Sequence, residues 1–200
     1  GVLTGPNMGG KSVCLRTCGF IAMCVAYGIP VPARTAACGI FDEIAWLGVG
    51  SDDESGGLLS SFAREVVRLR ELIARRRTRR FVALDEFART TTPREGRALL
   101  VAVIARLRDL GIIGIAATHL GDVAEGIVAH FAVRGLRGIP KLPATNDLAD
   151  ALATLAASMD YTIEEVDAGT ERRSDAIALA SLLGLDEAIV GSAYRELNAE

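Results

Sequence analysis

Apolar residues follow two spacings along this chain, one typical of helices and one typical of short buried strands. Apolar positions three or four residues apart predict helices over 11–27, 58–76, 93–110, 174–183 and 186–197. Short apolar runs predict strands over 2–3, 38–47 (one strand or two short ones), 81–84, 112–117, 130–133 and, at a sheet edge, 161–166. Pro30 and Pro32 end the first helix, loops are expected over 48–57 and 135–147, and a short helix is expected before residue 130.

This alternation of strands and helices predicts the fold class. Strands separated by helical crossovers form a mostly parallel sheet flanked by helices, so the chain is expected to be α/β. We expect residues 1–150 to form the core and residues 151–200 to form an edge strand and a small C-terminal helical appendage, whose two helices join at Gly184. Because ligands of such folds bind at the carboxyl ends of the strands, functional side chains are expected directly after each strand.

A glycine-rich loop follows the first predicted strand. It matches the phosphate-binding pattern of two fixed glycines followed by lysine and a hydroxyl residue, and it consists of Gly5, Pro6, Asn7, Met8, Gly9, Gly10, Lys11 and Ser12. Gly5 and Gly10 let the backbone wrap closely around a phosphate, with N–H groups pointing inward and a helix N-terminus facing the anion. Lys11 is expected to reach the β- and γ-phosphates and Ser12 to ligate Mg²⁺. The loop therefore indicates a nucleoside triphosphate site.

Two further polar pairs, Asp85-Glu86 and Thr118-His119, each follow a predicted strand. A carboxylate at the end of a buried strand can hold Mg²⁺ through its water shell, and this role is assigned to Asp85. The neighbouring carboxylate can polarise an attacking water, which makes Glu86 the candidate catalytic base. A charge pair at a helix N-terminus is the alternative for the acids, and a structural role is the alternative for His119. Its place at the end of a core strand favours a γ-phosphate contact for His119.

Composition is that of an ordinary intracellular enzyme domain. The chain has 200 residues, of which 50% are hydrophobic, and a formal net charge of -3, so it can bury a sizeable core without disulfides. Its weakly acidic balance does not fit a surface devoted wholly to nucleic acid. No apolar run reaches membrane-spanning length and no signal peptide is visible, so a cytoplasmic protein without a membrane partner is expected. Because the chain begins inside a motif, we expect it to be part of a longer protein.

Two groups of residues have simple structural interpretations. The cysteines lack metal-ligand spacing and are expected to be buried reduced thiols. They are Cys14, Cys18, Cys24 and Cys38. A run of arginines where the second long helix ends is expected to form a solvated face, with contact to phosphates or a partner domain as the alternative. It comprises Arg75, Arg76, Arg77, Arg79 and Arg80.

In combination these motifs resemble those of the MutS family, within the wider ABC-type ATPases. The glycine-rich loop, with its Asn-Met-Gly-Gly centre, is similar to the family's nucleotide loop, Asp85-Glu86 to its Walker B pair and Thr118-His119 to its histidine loop. Val31-Pro32-Ala33 resembles its proline turn, Ser60-Ser61-Phe62 its signature segment, and 176–185 the helix that precedes a helical dimerisation element. The resemblance covers nearly the entire chain.

The resemblance implies a P-loop ABC-type ATPase domain that uses ATP and Mg²⁺. It also implies a composite active site, in which two nucleotide domains of a homodimer, or of this chain and a homologous second subunit, pack head-to-tail. Ser60 would then act in trans on the partner's γ-phosphate, with a helix cap as its simpler role. Hydrolysis by a single chain is accordingly expected to be poor or to depend on concentration.

The segment after the acid pair departs from mismatch-repair members of the family. Those members have Gly-Arg-Gly-Thr, whereas this chain keeps Arg89 but has Ala88 and Thr90 around it, and looks more similar to branches outside mismatch correction. Two functions stay open: a DNA-handling MutS homologue, with DNA contacted by regions outside this chain, and an ATPase that reactivates a cobalamin-dependent lysine or ornithine aminomutase. A third is a nucleotide-gated dimerisation module without productive turnover.

Overall fold

The computed structural model of the protein describes residues 1–6, 9–48, 61–75, 79–121, 123, 129–137, 148–167 and 176–197. The strands of these residues are β1 Val2–Thr4, β2 Glu43–Gly48, β3 Arg80–Asp85, β4 Ile113–Ala117, β5 His130–Leu136 and β6 Met159–Val166. The helices are α1 Lys11–Ala26, α2 Ser61–Ala74, α3 Pro93–Asp109, α4 Leu148–Ser158, α5 Ala176–Leu182 and α6 Glu187–Leu197.

These strands join one sheet in the order β2-β3-β4-β1-β5-β6. All neighbours pair in parallel except β5 and β6, which are antiparallel at one edge. β1 lies inside the sheet, with Leu3 opposite Ala117 of β4 on one side and Phe131 of β5 on the other. The predicted α/β fold, with its mostly parallel sheet flanked by helices, is confirmed.

Both faces of the sheet are buried, because successive side chains along a strand point to opposite faces. In β3, Val82 and Leu84 join a core cluster with buried residues of α2 and α3. Phe81 and Ala83 of the same strand join a second cluster with Leu15 of α1. Helix α1 therefore covers one face of the sheet, while α2 and α3 cover the other.

Two predicted strands differ from the observed ones by more than two residues at one end. β2 begins only at Glu43. Before it, the ring of Phe41 packs against that of Phe81, with centroids 5.6 Å apart. β5 is longer than predicted, because Gly135, expected in a loop, lies within the strand at a shift of register with β6. A φ of +80° at this glycine fits such a bulge.

Helix α4 is an element that the sequence pattern missed. Its signal is the spacing of Leu148, Leu152 and Leu155 together with alanines between them, which favour a helix. The expected division between residues 150 and 151 falls inside this helix, and β6, which follows it, pairs with the core strand β5. Helices α5 and α6 then meet around Gly184, whose φ is +82°. The short helix expected before residue 130 falls mostly outside the described residues.

Arg80 corrects the expectation of a wholly solvated arginine face. The residue is only 5% exposed, because its guanidinium Nη1 donates to the carbonyl of Leu72 near the end of α2. Arg75 is exposed and pairs with Glu43 at 2.5 Å. Arg79 is also exposed, and the remaining two arginines of the run lie outside the described residues.

The cysteines are free thiols, but not all are buried. Cys24 is buried and Cys14 and Cys18 are half-buried in α1, whereas Cys38 is exposed in the irregular segment before β2, which corrects the prediction for this residue. None of the helices in the described part of the chain combines the length and the apolar character needed to cross a bilayer.

Candidate nucleotide-binding site

The parallel register brings the three predicted motifs to one edge of the sheet. β1, β4 and β3 are neighbours, and Leu3 of β1 and Asp85 of β3 both lie opposite Ala117 of β4. The loop that follows β1, the acid pair and Thr118-His119 therefore leave the sheet side by side. The sequence predicted this convergence.

The glycine-rich loop allows a close approach to an anion. Gly10 has a φ of +82° and caps α1 without a side-chain hydrogen bond. A Cβ at this position would be strained and would lie 3.2 Å from the ring of Tyr161. The N–H of Gly9 donates to the carbonyl of Pro6 at 3.1 Å, which folds the loop back. The N-terminus of α1 thus favours a phosphate. Asn7 and Met8 lie outside the described residues.

Lys11 lies folded across this loop. Its Nζ donates to the carbonyls of Gly5 at 2.9 Å and Pro6 at 3.1 Å, and the residue is 5% exposed. Burial lowers the pKa of Lys11, which the nearby carboxylates of Glu86 and Asp85 oppose. The ammonium is therefore bound to two neutral acceptors, and an anionic phosphate oxygen is the stronger acceptor for it.

Half-buried Ser12 and buried Asp85 form a pair beside the lysine. Ser12 Oγ donates to Asp85 Oδ1 at 3.0 Å, while Asp85 Oδ2, in a residue that is 1% exposed, has no hydrogen-bond partner among the described residues. Burial raises the pKa of Asp85, although the Ser12 hydrogen bond opposes it. A hydroxyl and a carboxylate oxygen without a partner are ligands that Mg²⁺ prefers, so these residues fit the expected metal.

The described residues hold no cluster of three or more His, Cys, Asp or Glu that could bind a metal by itself. In nucleotide sites Mg²⁺ is held by one or two protein oxygens together with the substrate phosphates.

Glu86 directly follows Asp85 in the chain, and its carboxylate lies between His119 and Arg89. Its Oε1 is 3.8 Å from Nδ1 of His119, and its Oε2 is 3.6 Å from Nη1 of Arg89. Glu86 has a φ of +53°, and its N–H donates to the carbonyl of Ala117 at 2.9 Å, so the chain turns away from β3 directly after Asp85. The side chain of His119 is 46% exposed and that of Glu86 is 17% exposed. Both groups are thus placed at the same sheet edge as Lys11.

Thr118 fixes the direction in which the chain reaches His119. It is 1% exposed, its N–H donates to the carbonyl of Leu3 at 3.0 Å, and its Oγ1 accepts from the N–H of Leu120 at 3.0 Å. The Thr118 hydroxyl thereby accepts the N–H of Leu120 in place of a backbone carbonyl, just beyond the end of β4.

Sequence reasoning missed a part-buried contact at the end of β1. Thr4, the last residue of β1, is hydrogen-bonded through Oγ1 to Nε2 of His130 at 2.8 Å, and His130 is 5% exposed. Its Nδ1 lies 3.3 Å from the carbonyl oxygen of Asp167. The sequence carries no signal for this pair, because it depends on the register that places β5 beside β1.

A second missed contact supports the turn after the acid pair. Ala88 has a φ of +62°, so alanine adopts here the backbone that favours glycine. Its N–H donates to Oε2 of Glu65 in α2 at 3.0 Å. Ser60, the residue expected to act in trans, lies outside the described residues and directly precedes α2.

Comparison with known proteins agrees with these motifs. A family model described as MutS domain V matches residues 1–199. Over 201 residues, all of this chain, the sequence is 30% identical to an Endonuclease MutS2 from Streptococcus pneumoniae and covers 24% of that protein. It is 36% identical over 123 residues, 61% of the chain, to the Endonuclease MutS2 of Halothermothrix orenii, of which it covers 15%. An Endonuclease MutS2 from Lactococcus lactis is 26% identical over 205 residues, with 98% of this chain and 24% of that protein covered. The chain thus spans a quarter or less of the length of these relatives.

Proposed function

This chain belongs to the MutS family, and from that premise we propose that it is the ATP-binding and ATP-hydrolysing motor of a longer protein. The observation that carries the proposal is the buried carboxylate of Asp85, hydrogen-bonded to half-buried Ser12 beside Lys11. A buried carboxylate oxygen without a partner is costly for a fold, and a bound cation compensates that cost.

Binding of the triphosphate is assigned to the glycine-rich loop and Lys11. The loop offers backbone N–H groups and a helix N-terminus, and the ammonium of Lys11 exchanges its carbonyl partners for oxygens of the β- and γ-phosphates. Ser12 would ligate Mg²⁺ directly, and Asp85 would hold it through water. When bound, Mg²⁺ neutralises charge on the phosphates. The adenine base is assigned from the family.

Hydrolysis is assigned to Glu86 with His119. A carboxylate oxygen of Glu86 accepts a proton from water, whose oxygen bonds to the γ-phosphorus as the bond to the bridging oxygen breaks and ADP leaves. His119, 3.8 Å from the Glu86 carboxylate, donates to an oxygen of the γ-phosphate.

Two copies of the domain, or this chain and a homologous subunit, complete each site. Ser60 directly precedes α2 in the sequence, and its hydroxyl, together with the N–H groups at the start of α2, is assigned to donate to the γ-phosphate of the partner. Helices α5 and α6 serve as a dimerisation element, a role supported by apolar side chains with high exposure: Leu185 at 45%, Ile189 at 54% and Leu197 at 61%.

We assign the longer protein to DNA-handling MutS homologues, with DNA bound by regions outside this chain. The relatives found carry the name Endonuclease MutS2, which does not favour the aminomutase alternative. Stimulation of ATP turnover in the parent protein by duplex DNA, and not by an inactivated cobalamin-dependent aminomutase, is the expected result. The reverse pattern would overturn the assignment to DNA.

Glu86→Gln tests the catalytic role. ATP binding should persist, ATP-bound dimers should accumulate in sedimentation experiments, and phosphate release should fall by at least about 100-fold because the general base is lost. Glu71→Gln, the same change on the exposed surface of α2, is the matched control. An unchanged rate in Glu86→Gln would reject this base. A wild-type protein that binds ATP and dimerises without turnover would instead support the nucleotide-gated module.

A further inference from the structure

A carboxylate on α2 holds the turn that carries Glu86. Oε2 of Glu65 accepts the N–H of Ala88 at 3.0 Å, a contact between residues 23 positions apart in sequence. Neither residue belongs to the motifs that bind the nucleotide. The contact therefore calls for its own explanation.

The turn itself has an uncommon backbone. Among the described residues, Glu86 and Ala88 are the non-glycine residues with positive φ, at 53° and 62°. The N–H of Arg89 donates to the carbonyl of Glu86 at 3.1 Å, which closes a four-residue turn with positive φ at its third residue. Such turns favour glycine at that position, so this sequence needs a contact from outside the turn to hold its shape.

Glu65 supplies that contact in a place where water does not substitute for it. Ala88 is 2% exposed and belongs to the core cluster against which Phe62, one turn before Glu65, also packs. Burial raises the pKa of Glu65, while the Ala88 N–H and the charge of Arg89 oppose the shift. Helix α2 is thus docked onto the turn through an apolar and a polar contact.

We propose that Glu65 is a positioning residue for ATP hydrolysis, which holds the Glu86–Arg89 turn so that the Glu86 carboxylate faces the γ-phosphate. The inference rests on the proposed function. Helix α2 begins directly after Ser60, the residue proposed to act on the partner's nucleotide. The Glu65 side chain therefore links this helix to the Glu86 carboxylate of its own subunit.

Three substitutions separate positioning from charge and from folding. Glu65→Ala removes the acceptor, Glu65→Asp keeps the charge but shortens its reach, and Glu65→Gln keeps an oxygen that accepts the Ala88 N–H. We expect kcat to fall on the order of 10- to 100-fold in Glu65→Ala and Glu65→Asp, with KM and the Kd for a fluorescent ATP analogue within about 2-fold of wild type, since small misplacements of a reacting group have such effects. Glu65→Gln should stay within about 3-fold of wild-type kcat. Glu71→Ala, on the exposed face of α2, is the control.

The outcomes are distinguishable. Unchanged kcat in Glu65→Ala and Glu65→Asp, while wild type hydrolyses ATP, would overturn this inference alone. A loss in Glu65→Gln equal to that in Glu65→Ala would also overturn it, because charge would then matter and not the hydrogen bond. If Glu65→Ala does not fold, Glu65→Asp decides. A wild-type protein without ATP turnover would overturn both the proposed function and this inference.

Discussion

The substitution Asp85→Asn removes a buried charge from the candidate site. Asp85 Oδ2 has no hydrogen-bond partner among the described residues, while Oδ1 accepts from Ser12 at 3.0 Å. Asparagine keeps an oxygen for Ser12 and replaces the unpaired anionic oxygen by a neutral group. We therefore expect Asp85→Asn to stabilise the protein without nucleotide and to weaken its response to Mg²⁺ and ATP.

The magnitude follows from two opposing effects. An unpaired buried neutral group, such as the new amide NH2, costs about 1–3 kcal/mol. An unpaired buried charge costs about 2 kcal/mol more, since taking an ion out of water costs several kcal/mol, and Asp85→Asn recovers only this excess. Loss of the charge weakens the Ser12 hydrogen bond by about 1 kcal/mol, the difference between charged and neutral bonds. The net gain in unfolding free energy is about 1 kcal/mol. For a chain of 200 residues this corresponds to an increase of about 2–4 °C in Tm.

The pH dependence has a definite sign. Burial raises the pKa of Asp85 in the folded protein above the ordinary value of 3.8, so wild type loses stability as the pH rises through the raised pKa. The gain in unfolding free energy of Asp85→Asn over wild type should be full at pH 8. It should shrink as the pH falls toward the pKa of the carboxyl in the unfolded chain. Bound ligand favours wild type over Asp85→Asn. ATP with Mg²⁺ at 100 times its Kd stabilises wild type by about 2.7 kcal/mol.

Thermal unfolding with and without ATP and Mg²⁺, at pH 8 and pH 5, measures all of these effects. Glu71→Gln, an exposed carboxylate changed to an amide, is the control and should match wild type. A lower Tm for Asp85→Asn without nucleotide would contradict the cost assigned to Asp85 Oδ2. If ATP and Mg²⁺ raised the Tm of Asp85→Asn as much as that of wild type, the metal role of Asp85 would be contradicted.

Three further substitutions test other parts of the account. Lys11→Ala should weaken ATP binding by about 10- to 100-fold, the value of a charged hydrogen bond, with the fold retained, and unchanged affinity in a titration would reject the phosphate role. Gly10→Ala should lower the unfolding free energy by about 1–2 kcal/mol because φ is +82°. It should cost more than Gly28→Ala, where φ is +68° but no atom lies within 4 Å of the added Cβ, and denaturant unfolding that gives equal losses would contradict the contact with Tyr161. Thr92→Ala should cost about 1 kcal/mol, since Thr92 Oγ1 accepts the N–H of the third residue of α3 at 3.4 Å, and Thr92→Ser should retain most of that stability.

Features set by local sequence could be predicted, and these include most of the fold and the site. The alternation of apolar strands and helices determines the parallel sheet, and a phosphate loop is defined by a few adjacent residues such as Gly5 and Lys11. Asp85 and His119 follow from their positions after core strands. The register of β1, β3 and β4 then brings them together.

Features set by packing between distant segments could not be predicted. The burial of Arg80 depends on a carbonyl of α2, and the hydrogen bond from Ala88 depends on where α2 places Glu65. Helix α4 is different, because its leucines lie three or four residues apart and its alanines favour a helix, so a local signal for it was present and was overlooked. The bulge at Gly135 reflects pairing with β6 and has no local signature.

Phosphate release from ATP, measured for the wild-type protein over a range of protein concentrations with and without Mg²⁺, tests the central claim most directly. We expect turnover that saturates with ATP, requires Mg²⁺ and rises per chain with protein concentration as composite sites form. Folded protein that releases no phosphate with Mg²⁺ at any concentration would contradict the claim that this domain is an ATP-hydrolysing motor.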